Sequence, residues 1–78
     1  MNNIQIHNKM SRLRKEHEKM MLKVTASTYD LATLELDEKE KEMLETQIYH
    51  QKQAADKILE RIEYNAREIR KMEAENEQ

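Results

Sequence analysis

A chain of 78 residues with 38% charged side chains, a net charge of only −2 and no cysteine has room for one small domain and cannot rely on disulfides. The absence of glycine and proline removes Gly-rich phosphate cradles and the two residues that most often punctuate structure. With 4% aromatic residues and Met20, Met21 and Leu22 as its longest strongly apolar run, the chain contains no membrane-spanning stretch.

The opening Met-Asn-Asn-Ile-Gln-Ile-His has neither a basic leader nor an apolar segment behind it, so a signal peptide is not expected. The default location is the cytoplasm, with a virion interior equally compatible. High charge with few aromatics would also fit disorder, but a sustained apolar stripe argues for folded helices.

That stripe begins at Ile6. The positions Ile6, Met10, Leu13, His17, Met20, Val24, Ser27, Leu31 and Leu34 step by four and three in strict alternation, and seven of the nine are apolar. This is how one seam of a helix is written. Asn2, three residues before Gln5, has the spacing of a capping box and sets the helix start near residue 3. Carrying the same count forward reaches Glu38, Lys41 and Glu45, so the seam fails there. A second stripe runs from Leu44 through Ile48, Ala55, Ile58, Leu59, Ile62, Ala66, Ile69 and Met72, broader than the first and suited to a bundle core.

Between the stripes, Asp37 followed by Glu40 makes a helix N-cap with acidic residues in the first turn. The expected fold is therefore all-α: a two-helix antiparallel hairpin in a single domain over residues 1–78, with helix one about 3–34, a turn about 35–37 and helix two about 38–75. The alternative is one long helix in a coiled coil, because Glu35 with Lys39 and Asp37 with Lys41 are i,i+4 pairs that support unbroken helix. A break at Thr25-Ala26-Ser27-Thr28 is the third option, weakened because the first seam stays in phase through it.

A single two-helix layer leaves much of each stripe facing water. Self-association into a four-helix bundle, with a dimer favoured, is the simplest remedy. The residues assigned to the self-association seam are Ile6, Met10, Leu13, His17, Met20, Val24, Leu31 and Leu34 in the first helix and Ile48, Ala55, Leu59, Ile62, Ala66 and Ile69 in the second. His17 is read first as a seam-edge side chain with its polar tip in solvent; the alternative is a polar seam residue that selects register or oligomer state.

No chemistry emerges from the remaining residues. His7, His17 and His50 have no other His, Cys, Asp or Glu three or four residues away, so no helical two-ligand metal site forms within one helix. Ser27 has no histidine three or four residues away, and His7, four residues before Ser11, has no acidic residue spaced to orient it; the carboxylates lie mostly off the apolar stripes, on solvated faces without the burial a catalytic pair needs. The expectation is a protein without cofactor or catalytic activity.

Charge is unevenly placed. Residues 1–24 carry Lys9, Arg12, Arg14, Lys15, Lys19 and Lys23 against Glu16 and Glu18, a net of +4, which leaves −6 for the remainder. Lys9, Arg12, Lys15, Lys19 and Lys23 share one flank beside the first seam. A hairpin closing near residue 36 sets Glu63 opposite Lys9 and Glu60 opposite Arg12, so internal pairing is the expected use of these cations. A phosphate-binding flank is the alternative, disfavoured because the basic segment has no aromatic residue for stacking. The functional expectation is a non-enzymatic protein-interaction module acting by helix-face docking, with nucleic-acid binding as its alternative.

Overall fold

The computed structural model describes residues 3–76, which form two long helices, α1 (Asn3–Thr33) and α2 (Glu38–Asn76). They pack along each other as an antiparallel hairpin with extents of 62 × 16 × 14 Å. Helix α1 ends at Thr33 and α2 begins at Glu38. The capping role expected of Asn2 lies outside the described residues.

The Thr25–Thr28 stretch stays helical. The Thr25 hydroxyl folds back on the preceding turn, Oγ1 donating to Met21 O at 3.0 Å, as Thr33 Oγ1 further on does to Tyr29 O at 2.7 Å. A local polar competitor is thereby absorbed into the helix. Helix α1 ends without a left-handed residue, since no described residue has positive φ. The Leu34 amide still bonds Asp30 O at 2.9 Å, and the chain then crosses residues 34–37 with Leu36 half-buried.

Helix α2 starts on Asp37. Its Oδ1 accepts from the Glu40 amide at 2.8 Å while its carbonyl accepts from Lys41 N at 2.9 Å, satisfying amide donors that a helix start leaves orphaned. Glu38 and Glu40 occupy the first turn, where the helix dipole favours negative charge. The cap thus prevails over the i,i+4 pairs that would have carried one helix through this point.

The core is a thin seam. Ile6, Met10, Leu13, Val24, Ile48 and Ala55 are its buried apolar residues, with Leu13 only 2% exposed. Apart from half-buried Lys9, the buried and half-buried set on α1 follows the four-three count from Ile6 to Leu31, while Leu34, past the helix end, is 55% exposed. On α2 the seam is narrower than its apolar residues imply. Leu44, Ile48, Gln51, Ala55, Ile58, Ile62, Asn65, Ile69 and Met72 are the four-three positions, and each is buried or half-buried. Leu59 stands to the side at 40% exposure, and Ala66 is half-buried one residue off the seam.

Four seam positions are polar: His17, Ser27, Gln51 and Asn65. Asn65 is buried and donates Nδ2 to Arg61 O at 2.7 Å. Ser27, also buried, receives a long hydrogen bond of 3.4 Å from Gln47 Nε2 across the interface. Gln51 Oε1 is buried with no partner.

Candidate functional site

A two-helix rod has no interior beyond its seam, so any function lies on its sides. The register of the helices decides what each side carries. Gln47 beside Ser27, and open concavities shared by Leu13 with Arg61 and by Met20 with Gln51 and Ala54, set Leu13 level with Ile62 and Val24 level with Gln51. Lys9 then stands level with Ala66, not Glu63.

The expected pairing of Lys9 with Glu63 and Arg12 with Glu60 is accordingly not formed. Among the described residues the ion pairs are Lys57–Glu60 at 3.7 Å and Lys71–Glu68 at 3.3 Å, both within α2 and both substantially exposed. Glu60 turns back to its own helix. Seam matching explains the difference: aligning Leu13 with Ile62 slides α2 by nearly one turn relative to a count taken outward from residue 36, and the phase of the α2 seam, on Ile58, Ile62 and Asn65, turns Glu63 to the other side.

The first side gathers the cations. Lys9, Arg12 and Glu16 line one concavity with Leu13 and Arg61. Further toward the turn, Lys23 shares a second with Met20, Gln47, His50, Gln51 and Ala54. Helical phase adds Lys19 between these and Lys57 and Tyr64 from α2, Tyr64 lying two heptads beyond His50 and 56% exposed. Lys15 is exposed on the outer surface of α1, away from α2. The five expected cations therefore divide, four on this side and Lys15 off it, and Arg61 and Lys57 join them. Arg61 was legible only as part of the acidic half of the chain; the fold brings it to the basic flank.

The second side mixes acidic and apolar groups. Arg14, Glu18 and Met21 come from α1, and Glu45, Tyr49, Lys52, Asp56, Leu59, Glu63, Ala66 and Arg70 from α2 by the same phase. Met21, Tyr49 and Leu59 are 42%, 58% and 40% exposed.

Of the residues assigned to the seam, Ile6, Met10, Leu13, Val24, Ile48 and Ala55 are buried between the two helices of one chain. His17, Met20, Leu31, Ile62, Ala66 and Ile69 are half-buried, and Leu34 and Leu59 are exposed. No cluster of three or more His, Asp or Glu side chains able to hold a metal exists among the described residues. No described helix is long and apolar enough to cross a membrane. Compared with known protein families, with curated proteins and with solved structures, the chain finds no match.

Proposed function

We propose that the hairpin is a non-enzymatic protein-interaction module working by helix-face docking, and that a second copy of itself is a partner. The observation that carries this reading is the mismatch between a thin seam, with six buried apolar side chains among the described residues, and the Met21, Tyr49 and Leu59 side chains left exposed on one flank. A scaffold this small gains most by burying such a flank against another chain.

Charge on that flank selects a geometry. When two α2 helices run antiparallel about a two-fold axis level with residues 57 and 58, Lys52 faces Glu63 of the second copy and Arg70 faces Glu45. Tyr49 meets Ala66, and Leu59 and Met21 lie near the axis. Arg14 stands within about one helical turn of the second copy's Glu18, offsetting the acidic residues there. The ion pairs lie at the rim, so they set register and contribute at most about 1 kcal/mol each. The apolar side chains supply the affinity.

Sedimentation and helicity across a dilution series test the association, with helicity expected to fall as the dimer dissociates. Lys52→Glu and Glu63→Lys should each weaken it by setting like charges opposite, and the double variant should recover it. A monomer at every concentration refutes the reading; single variants that associate like the parent refute this register.

A further inference from the structure

The basic flank lies opposite the surface just assigned and has a chemistry of its own. We propose that it binds single-stranded nucleic acid, with its cations on the phosphates and the rings of Tyr64 and His50 against the bases.

Convergence of cations is the first observation. Arg61 comes from α2 to line the concavity that holds Lys9 and Arg12, and Glu16 is the single carboxylate there. Lys23 lies beside His50 in the next concavity. The same helical phase sets Lys71 and Glu68 on this flank, paired with each other at 3.3 Å; of the other six cations, Lys57 alone has a carboxylate within 4.0 Å among the described residues, the exposed Glu60 at 3.7 Å. Cations gathered from two helices in excess of the carboxylates beside them raise the local potential, and a polyanion relieves it.

The flank also has length and rings. Lys9 to Lys23 spans about 21 Å along the helix at about 1.5 Å per residue, room for about six nucleotides at a stacked rise of about 3.4 Å. The basic segment of α1 has no aromatic residue, but α2 sets Tyr64 at the level of Arg12 and His50 at the level of Lys23. Both rings are exposed. Rings interleaved with cations suit unpaired bases, which offer a stacking face that a duplex keeps closed. An acidic protein helix fits less well, because it needs an apolar groove for its anchors. In this concavity the apolar lining is Met20 and Ala54, both half-buried.

Fluorescence anisotropy with labelled 12-nucleotide oligo-uridine and oligo-thymidine probes tests the assignment, with a duplex of equal length and poly-glutamate as competitors. Single strands should bind at low salt, and log affinity should fall linearly with log salt, by about 0.7 per phosphate contact. The Arg12→Gln/Arg61→Gln variant, two contacts fewer, should lower that slope by about 1.4. Tyr64→Ala should cost about tenfold in affinity and leave the slope unchanged. Arg14→Gln/Arg70→Gln, on the other flank, should bind as the parent does. All the replaced side chains are exposed and outside the seam, and circular dichroism confirms that each variant stays helical. Absence of binding at low salt, tighter binding of the duplex, equal competition by poly-glutamate, or an unaltered affinity in Tyr64→Ala would each overturn the proposal. The dimer is read separately by sedimentation, so failure of one assignment is distinguishable from failure of the other.

Discussion

Replacing Gln51 by leucine should stabilise the hairpin. Gln51 occupies a seam position between Ile48 and Ala55, half-buried, with Oε1 shut away from solvent and without a hydrogen-bond partner. A buried acceptor left unsatisfied costs about 1–3 kcal/mol. Leucine has a similar volume, so it removes the acceptor without overpacking, and its partial burial adds about 1 kcal/mol more, less than the about 1.5–3 kcal/mol of a fully buried side chain. The expected gain is about 2–4 kcal/mol. In a domain of this size each kcal/mol raises the melting temperature by about 4–8 °C. Urea titrations of parent and variant at one fixed chain concentration read the effect, because any self-association would otherwise move the midpoint. The midpoint should rise with the m-value unchanged. A midpoint that stays level or falls would falsify the reasoning, and would mean that water reaches the oxygen at the seam edge.

Leu13→Ala, at the least exposed side chain of the seam, should destabilise the fold by about 2–5 kcal/mol, read as a lowered urea midpoint at the same chain concentration. Asp37→Ala removes the acceptor of the Glu40 amide and should cost about 0.5–2 kcal/mol, with Asp37→Asn retaining most of the stability. Thermal unfolding followed by circular dichroism compares the two; equal losses in both would show that the carboxylate acts by charge rather than by capping.

Much of this fold is written plainly in the chain. The four-three count from Ile6 lands on the α1 seam because nearly every seam position there is apolar, and Asp37 marks the start of α2 because a side-chain oxygen three residues before Glu40 has one obvious use. Helix α2 was harder. Its seam includes Gln51 and Asn65, and reading by hydropathy passes over polar side chains in favour of Leu59 and Ala66, one residue off phase. The signal was present: the count from Ile48 reaches both. Flank chemistry was least legible, since it depends on register. Counting outward from the turn gives a different neighbour for Lys9 than aligning Leu13 with Ile62, and the rotational phase of the α2 seam is what puts Arg61, not Glu63, on the side of the lysines.

The hairpin's direction reversal has a mechanical consequence. Asn3 and Asn76 lie at one pole of a 62 Å rod and the 34–37 connection at the other, so whatever is tethered at either described end departs from the same place while the capped tip projects away from it. Force applied across those two ends peels the helices apart from the open pole, breaking the layers at Ile6 and Ile69 before those at Leu31 and Leu44. Force applied between one end and the tip runs along a single helix, which bears it on its own backbone hydrogen bonds while the other helix lies alongside. The same molecule is therefore a weak clasp in one direction and a stiff strut in the other.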